Sequence, residues 1–476
     1  MKEFQHVCGT ALLFPLIAGC NEKTAEKPVN IVYIIADDLG YGDFGCYGQQ
    51  YIKTPHIDRL AEEGMLFTQH YAGCTVSAPS RSSLLTGLHT GHCPIRGNRE
   101  VRPEGQWPQP GNTYTLAKML KEAGYVTGCF GKWGLGYPGS EGSPENQGFD
   151  EFYGYNCQRL AHNYYPYRLW HNRDTVWLRG NTGYGKEQYS QDLIHGQALH
   201  FIEANRDQPF FAFLTYVIPH AELTHPDDSI LMKYKNLFPE DPYQGVDDGN
   251  GYKTGGYGST PHPKTDFAAM VTRLDAYVGE IAGKLKQLGL ERNTILMITS
   301  DNGPHREGGA DPDFFKSYGP LRGTKRDMYE GGIRVPFIVR YPGKVKAGSR
   351  TDHVSAFWDL MPALADLAGI DICGKTDGIS FLPTLLGKGK QEQHAWLYWE
   401  FHEMGGKIAV RKGHWKAIQL QVDNPDQTVV ELYDLSRDIH EDNNVARQHP
   451  ETVAEMLEIM KKAHEKSDIF PFHFEQ

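Results

Sequence analysis

Short apolar runs rich in Val, Ile and Phe recur along the chain, and stretches with helical periodicity separate them. The runs cover residues 29–36, 125–130, 210–218, 294–299 and 335–340. Continuous apolar runs of this length are typical of strands buried on both faces of a parallel sheet. The helical patterns lie at residues 55–64, 115–124, 192–204 and 267–288. This alternation predicts an α/β fold with a mixed, mostly parallel central sheet covered by helices on both faces.

The main domain is predicted to end with a helix over 353–368 and a Gly- and Lys-rich connection at 374–390. We therefore place this domain at residues 29–390. One interior segment, 236–264, is rich in Pro, Gly and Asp and is too long for an ordinary connection. It is either a lid that shapes a substrate site or a surface excursion between helices, and the sequence leaves both interpretations open.

A smaller C-terminal subdomain is predicted at residues 391–476. Short strands are expected around Ile408 and Trp415 and at 429–433, and a polar helix is expected at 451–466. Strands followed by a separate helix predict an α+β arrangement.

The first 28 residues have the pattern of a targeting segment. An apolar stretch follows Lys2, and Ile17-Ala18-Gly19-Cys20 resembles the cleavage box of a bacterial lipoprotein signal. We expect a signal peptide at 1–19, a lipid on Cys20 and a tether at 20–28, which predicts export to the periplasm or anchoring in the outer membrane. An ordinary secretory signal is the alternative. The apolar stretch is too short to span a bilayer, so membrane contact would be through the lipid anchor only.

Composition narrows the class of protein. The chain has 476 residues, of which 39% are hydrophobic and 22% charged, as is ordinary for a soluble enzyme. Its net charge of -11 argues against a nucleic-acid partner, which would need a basic face. A polyanionic substrate would need a local cluster of basic side chains. Export would permit disulfides, but the cysteine spacing after Cys20 gives no connectivity.

Several short motifs stand out along the chain, and three of them come directly after a predicted strand. In chain order they are Ala36-Asp37-Asp38-Leu39-Gly40-Tyr41-Gly42-Asp43, Ser77-Ala78-Pro79-Ser80-Arg81, Gly131-Lys132-Trp133-Gly134-Leu135-Gly136, Pro219-His220, Ser300-Asp301-Asn302-Gly303, and Leu321-Arg322-Gly323-Thr324-Lys325 before Tyr329-Glu330-Gly331-Gly332. The carboxyl edge of an open α/β sheet is where ligands bind, so three of these motifs are expected to meet there.

Together, in this order, the motifs resemble those of the type I sulfatases of the alkaline phosphatase superfamily, and the resemblance spans roughly residues 30 to 340. In that family a Cys or Ser two residues before Pro and four before Arg is oxidised to formylglycine, a position held here by Ser77. The resemblance therefore implies an alkaline phosphatase-like fold, a formylglycine derived from Ser77, and a maturase of the radical, anaerobic type as a partner.

A metal site is expected from side chains that offer oxygen ligands. Asp37, Asp38, Asp301 and Asn302 suit a hard divalent cation such as Ca²⁺ better than Zn²⁺. The resemblance implies that these four positions hold Ca²⁺ together with Ser77.

The resemblance also assigns catalytic roles. Arg81, Lys132 and Lys325 match positions that hold the formylglycine and the sulfate, where fixed cations would stabilise charge in the transition state. His220 matches the general acid that protonates the leaving oxygen, a role that suits an imidazole. A plain Ser cannot release the bound sulfate as a hydrated aldehyde can, which is why the motif implies the modification.

Gly134 departs from the family pattern, because many relatives have His at this position. Our hypothesis is that His162, from an insertion at 153–172, reaches into the gap. That insertion interleaves aromatic residues with Arg159 and His162, which predicts a glycan subsite with these two residues binding substrate. A packed aromatic loop with solvated polar groups is the alternative.

The expected function is hydrolysis of sulfate esters on a sulfated carbohydrate, with galactose or N-acetylgalactosamine sulfate as candidates. Two alternatives stay open on the sequence. One is a phosphoester hydrolase of the same superfamily that uses unmodified Ser77, and the other is a non-catalytic glycan-binding lipoprotein. No nucleic-acid partner is expected.

Overall fold

The structure is a computed structural model, and it describes residues 27–247 and 256–475. The predicted signal peptide at 1–19, Cys20 and nearly all of the predicted tether at 20–28 lie outside these residues. No described helix combines the length and the apolar composition that crossing a membrane requires.

A mixed central sheet forms the middle layer of the molecule. Its strands are β1 (Asn30–Ala36), β2 (Met65–Tyr71), β3 (Val126–Lys132), β4 (Glu151–Tyr155), β5 (Arg168–His171), β6 (Asp174–Trp177), β7 (Phe210–Thr215), β8 (Thr294–Ser300), β9 (Arg334–Arg340), β10 (Ser349–Thr351) and β11 (Ser355–Ala356). Their order is β10-β2-β9-β8-β1-β7-β3-β4-β5-β6, with β11 paired to β2. Strands β8, β1, β7, β3 and β4 run parallel to one another at the centre.

Helices cover both faces of this sheet. The α-helices among the described residues are α1 (Pro55–Glu63), α2 (Ser77–Thr86), α3 (Leu116–Glu122), α4 (Ser190–Ala204), α5 (Ser229–Met232), α6 (Pro263–Gln287), α7 (Pro312–Phe315), α8 (Glu330–Ile333), α9 (Leu360–Ala368), α10 (Leu382–Leu386) and α11 (Pro450–Ala463). Side chains of α1, α4 and α6 pack in one core layer, and those of α2, α3 and α9 in the other. Strand β1 supplies alternate residues to the two layers, because successive side chains of a strand point to opposite faces. The predicted α/β class is confirmed.

The direction of β9 differs from the prediction. The run at 335–340 was expected among the parallel strands, but β9 is antiparallel to both β8 and β2. Every residue of β9 is buried, so its apolar run is the same whichever way the strand runs.

The helix predicted at 353–368 is wrong in its first half. Residues Ser355–Ala356 form β11 and Phe357–Asp359 form a 3₁₀ turn, so α9 begins only at Leu360. The carboxylate of Asp359 accepts hydrogen bonds from the backbone N–H groups of Ala356 and Ile379, at 2.8 and 2.9 Å. These bonds fix a turn at the point where a continuous helix was expected.

The insertion at 153–172 is not a separate loop. It contains most of β4 and β5, and β5 pairs antiparallel with both β4 and β6, so the central sheet continues through it. Tyr153, Tyr155 and Trp170 belong to these strands, and Tyr164 and Tyr165, which lie between β4 and β5, are buried in the core.

A second sheet follows in the C-terminal part of the chain. It has the antiparallel order β12 (Leu397–Phe401), β13 (Lys407–Lys412), β14 (Trp415–Leu420) and β15 (Val429–Asp434), and α11 packs against it. Strand β12 was not predicted, and the stretch predicted as a connection at 374–390 contains α10.

Candidate active site

The site begins where two neighbouring parallel strands end. Strands β1 and β8 pair in register up to Ala36 and Ser300, so the next residues, Asp37 and Asp301, leave the sheet side by side. The backbone N–H of Asp38 donates to Asp301 Oδ1 at 3.1 Å. Both acidic motifs are thus held at the carboxyl edge of the sheet, and all three carboxylates are fully buried.

Ser77 is the first residue of α2 and faces this edge. Val76 is extended and α2 starts immediately after it, with Pro79 in the first turn, where a missing N–H group costs no helical hydrogen bond. The Ser77 hydroxyl donates to Asp37 Oδ1 at 2.9 Å. The N–H of Ala78, which has no partner within the helix, donates to Asn98 Oδ1 at 3.1 Å.

Arg81 and Lys132 bind the carboxylates around Ser77, and Lys132 also reaches the Ser77 hydroxyl. Arg81 lies one helical turn after Ser77, and its Nε and Nη2 atoms donate to Asp301 Oδ2 at 3.1 and 3.0 Å. Its Nη1 atom donates to the backbone oxygen of Lys132 at 2.8 Å. The Nζ atom of Lys132 lies 2.6 Å from Asp37 Oδ2 and 3.3 Å from Ser77 Oγ. The geometry therefore joins α2 and β3 around the Ser77 hydroxyl.

His220 and Lys325 form the opposite wall of the site. Lys325 Nζ donates to Asp38 Oδ2 at 2.8 Å and lies 3.3 Å from His220 Nε2. His220 Nδ1 lies 2.5 Å from the backbone oxygen of Ala221. Because a carbonyl oxygen can only accept, Nδ1 carries the proton and Nε2 accepts from Lys325. Burial lowers the pKa of His220 to about 4, against the opposing effect of Asp38.

Burial acts on all three carboxylates, but it raises the pKa only of Asp301, because nearby cations outweigh it at Asp37 and Asp38. Burial raises the pKa of Asp301 to about 7, and the nearby charge of Asp37 adds to the rise. Burial acts in the same direction on Asp37, but Lys132, His220 and Arg81 outweigh it and hold the pKa of Asp37 well below its usual range. The site therefore keeps negative charge where Ser77 and the cations meet.

The donor set fits a hard divalent cation. Asn302 donates through Nδ2 to Asp38 Oδ1 at 2.8 Å, and its own Oδ1 atom is buried and has no hydrogen-bond partner among the described residues. A buried oxygen in this state is costly, and a cation would satisfy it. Asp37, Asp38, Asp301 and Asn302 together offer the oxygen ligands that Ca²⁺ takes.

The structure brings most of the predicted site residues together. Those that lie within this cluster are Asp37, Asp38, Ser77, Arg81, Lys132, His220, Asp301, Asn302 and Lys325. Arg159 is directed elsewhere, since its side chain donates to Glu100 Oε1 and to the backbone oxygen of Pro103, both at 2.8 Å. Arg159 therefore stabilises the loop that contains Glu100 and Pro103.

The hypothesis that His162 fills the gap at Gly134 is wrong in its geometry. A Cβ atom at Gly134 would lie 3.1 Å from Nε2 and 3.2 Å from Cγ of Gln158, so Gln158 covers this glycine. Gln158 Nε2 also donates to Asn98 Oδ1 at 3.0 Å. His162 instead stacks on His220, with ring centroids 5.2 Å apart and an interplanar angle of 15°.

Three further residues near His220 were not predicted. His305 stacks on the ring of His220 at 5.7 Å, and Glu307 lies 3.2 Å from His305 and 3.5 Å from Lys325. Tyr257 contacts the ring of His162 at a centroid distance of 4.7 Å. His305 and Glu307 closely follow Asp301-Asn302, so their position after a motif was an available signal. Tyr257 lies in the long segment at 236–264, and the unusual length of that segment, which left a lid as one interpretation, was its signal.

This arrangement can carry out displacement at an anionic centre. A nucleophile at position 77 is hydrogen-bonded to a carboxylate and an ammonium group, fixed cations surround it, and an imidazole stands on the far side. Such groups can orient an anion, offset charge on its oxygens and transfer a proton to a leaving oxygen.

Comparison with known proteins adds independent information. A family model described as Sulfatase matches residues 29–370, and one described as N-sulphoglucosamine sulphohydrolase, C-terminal, matches residues 323–467. The N-acetylgalactosamine-6-O-sulfatase of Bacteroides thetaiotaomicron is 30% identical, with 94% of this chain and 96% of the relative covered. Arylsulfatase A of Homo sapiens is 31% identical, with 95% and 89% covered. The solved structure of Ps i-CgsB in complex with k-i-k-neocarrahexaose is 28% identical, with a TM-score of 0.78 and 94% and 95% covered.

Proposed function

Because the chain belongs to the sulfatase family and is a sulfuric ester hydrolase of sulfated carbohydrates, we propose that it acts through a formylglycine formed from Ser77 and a bound Ca²⁺ ion. The observation that carries this proposal is the position of the Ser77 hydroxyl, 2.9 Å from Asp37 Oδ1 and 3.3 Å from Lys132 Nζ. Formylglycine, when present, supplies a nucleophilic hydroxyl and a route for releasing sulfate that a plain serine lacks.

The protein's own side chains then have distinct tasks. Asp37, Asp38, Asp301 and Asn302 would hold the ion, which supplies positive charge next to the nucleophile. Arg81 is held by Asp301 and positions the acidic cluster against α2. Lys132 offers an ammonium group beside the nucleophile.

His220 serves the leaving group, and Lys325 lies beside it as a cation for the sulfate. The Nε2 atom of His220 accepts from Lys325 in the free protein, so His220 must gain a proton at Nε2 before it can donate one to the departing sugar oxygen. A sulfate ester carries a negative charge that favours the protonated imidazole, so substrate binding promotes this state.

For the substrate, we propose a sulfate ester on galactose or N-acetylgalactosamine. Relatives from Bacteroides thetaiotaomicron and Canis lupus familiaris, 30% and 31% identical, are an N-acetylgalactosamine-6-O-sulfatase and an N-acetylgalactosamine-6-sulfatase. They support this class of sugar.

The decisive experiment is mass spectrometry of the Ser77 peptide from protein made in its native host, with sulfate release measured on the same sample. We expect a loss of two hydrogens at Ser77, and sulfate release from galactose or N-acetylgalactosamine sulfates that Ser77→Ala abolishes. An intact Ser77 in active protein would reject the formylglycine proposal. Hydrolysis of phosphoesters by that unmodified form would favour the phosphoester hydrolase.

We further propose that the chain is exported and carries a lipid on Cys20, with Ser77 oxidised by a maturase of the radical, anaerobic type. The support is the Ile17-Ala18-Gly19-Cys20 sequence together with the Ser, Pro and Arg of the Ser77 motif. Mass spectrometry of the mature N-terminus checks the first part. A start at a residue other than Cys20, or an unmodified Cys20, would contradict it.

A further inference from the structure

The backbone that carries Lys325 is held from the C-terminal sheet. Lys325 lies in residues 321–332, a stretch between α7 and β9 that we call the Lys325 turn. The next residue, Arg326, has φ +74°, a left-handed conformation that residues other than glycine rarely adopt. Its N–H donates to the backbone oxygen of Thr75 at 3.1 Å, and its own oxygen accepts from Nζ of Lys407, on β13, at 2.7 Å. The conformation beside Lys325 is therefore stabilised by a lysine of the second sheet.

A buried cluster of charges holds the far end of the Lys325 turn. Glu330, Lys416 and Glu441 are all fully buried. Lys416, on β14, places Nζ 3.0 Å from Glu330 Oε1 and 3.1 Å from Glu441 Oε1. Burial alone would raise the pKa of Glu330, but Lys416 and two nearby arginines outweigh it and hold that pKa at about 2. Glu330 is thus a buried anion, and such an anion needs its cation in place.

A backbone hydrogen bond connects Glu330 to the part of the turn that carries Lys325. The N–H of Gly331 donates to the backbone oxygen of Arg322 at 2.6 Å, which joins the two arms of the Lys325 turn. Because the arms are joined, we expect the turn to shift as one unit. A displacement of Glu330 would then reach Lys325, whose Nζ lies 2.8 Å from Asp38 Oδ2.

We propose that Lys407 and Lys416 are positioning residues for the sulfatase reaction, because they hold the Lys325 turn so that Lys325 faces the sulfate site. A buried ion cluster is a weak source of stability, since apolar side chains of similar volume often serve as well. What Lys416 adds is a fixed register between the C-terminal sheet and the turn. The C-terminal subdomain is thereby part of the framework of the active site. The inference rests on the proposed function for the role of Lys325 as a cation for sulfate.

The position of Lys325 can be measured without any activity. Crystal structures of the full chain with Lys407→Met or Lys416→Met are compared with that of the parent. We expect Lys325 Nζ to move away from Asp38 Oδ2 in both variants. Lys412→Met is the matched control on the same sheet, because the Lys412 side chain is 43% exposed and pairs with a glutamate of α11, so Lys325 should stay in place.

A Lys325 side chain that keeps its contact with Asp38 in both lysine variants would overturn the proposal. Should Lys416→Met not fold, Lys407→Met decides alone, since Lys407 is only half-buried and tolerates the change better.

Kinetics test whether the effect passes through Lys325. Rates are compared at a temperature where circular dichroism shows each variant folded. We expect Lys407→Met to lower kcat/KM on a galactose or N-acetylgalactosamine sulfate about tenfold, because a misplacement of about 1 Å can cost up to about a hundredfold. Lys407→Arg keeps a donor for the backbone oxygen of Arg326 and should restore most of the rate.

A double-mutant cycle separates positioning from general stability. In protein that already carries Lys325→Met, Lys407→Met should add no further loss of kcat/KM, since the side chain that it positions is gone. Losses that simply multiply would show that Lys407 acts elsewhere, and would overturn the proposal.

These outcomes are distinct from those of the proposed function. A parent protein that releases no sulfate, with Lys325 displaced in the lysine variants, would support the positioning role and count against the proposed function. An active parent with Lys325 unmoved in the variants would do the reverse.

Discussion

Gln158 covers Gly134 at the edge of the active site, with its Nε2 atom 3.1 Å from the position that a Cβ atom at residue 134 would occupy. The same Nε2 atom donates to Asn98, whose Oδ1 also accepts from the N–H of Ala78, in the first turn of the helix that carries Ser77. An amide pair therefore connects the loop after β4 to the start of α2. The Gln158 side chain occupies the space that a side chain at residue 134 would otherwise take.

Replacing Gly134 tests this contact. Gly134 has φ +81°, a left-handed conformation that costs a non-glycine residue about 1–2 kcal/mol. We expect Gly134→Ala to lower the free energy of unfolding by more than this, because the new methyl group also presses on Gln158. Chemical denaturation measures the difference.

Gly124→Ala is the matched control, since Gly124 has φ +84° and no atom lies within 4 Å of its Cβ position. The excess cost at Gly134 should shrink when Gln158→Ala is added. If both alanine substitutions lower the free energy of unfolding equally, Gln158 imposes no steric limit at residue 134.

Removing the metal should affect stability as well as activity. Without a cation, the carboxylates of Asp37, Asp38 and Asp301 repel one another, and Asn302 Oδ1 has no partner in the described part of the chain. A ligand at a hundred times its dissociation constant stabilises a protein by about 2.7 kcal/mol, so chelation should lower the melting temperature visibly. Ca²⁺ should restore both stability and activity better than Zn²⁺ does. A melting curve unchanged by chelator would argue against a resident cation.

His220→Ala should separate leaving-group chemistry from sulfate binding. A general acid contributes about 10²–10⁴-fold, and a sugar alkoxide needs it far more than a nitrophenolate does. We expect kcat on a sugar sulfate to fall by that factor, and kcat on 4-nitrophenyl sulfate to fall much less. Lys325→Met is the comparison, because a cation that binds sulfate serves both substrates. Equal losses on both substrates for His220→Ala would remove the general-acid role.

Glu400 should make stability depend on pH on the acid side. This carboxylate is fully buried on β12. Burial alone would raise the pKa of Glu400, but hydrogen bonds from His402 and His464 and the charge of Arg96 lower that pKa to about 2. A pKa lowered by folding gives stability that is complete above the unfolded value near 4.5 and is lost as pH falls toward 2.

The lowered pKa of Glu400 contributes on the order of 3 kcal/mol to the free energy of unfolding at neutral pH. Glu400→Gln should therefore lower the melting temperature at pH 7 and flatten its decline between pH 5 and 3. Glu455→Gln removes an exposed ion pair with Lys412 and should leave that decline unchanged. A steep decline that persists in Glu400→Gln would place the acid sensitivity elsewhere.

The local pattern of apolar residues predicted much of the fold. The runs at 29–36, 210–218 and 294–299 correspond to β1, β7 and β8, because strands buried on both faces need unbroken apolar sequence. Short or polar strands were not predicted. Strands β5 and β6 lie toward one edge of the sheet, where half-exposed residues weaken the apolar signal.

The sequence by itself determined which residues can do chemistry and that they would meet. Asp37, His220 and Asp301 each follow a strand of one parallel sheet, and parallel strands end at a common edge. Their positions directly after these strands therefore predicted that the three side chains would lie close together.

Only the tertiary structure decided what surrounds that cluster. Gln158, rather than His162, covers Gly134 because β3 and β4 pair in register and the chain turns directly after Asn156. The 3₁₀ turn Leu160–His162 places the ring of His162 against the ring of His220. Contacts of this kind depend on the paths of loops, whose side chains face partners far away in sequence, and no local pattern encodes that choice.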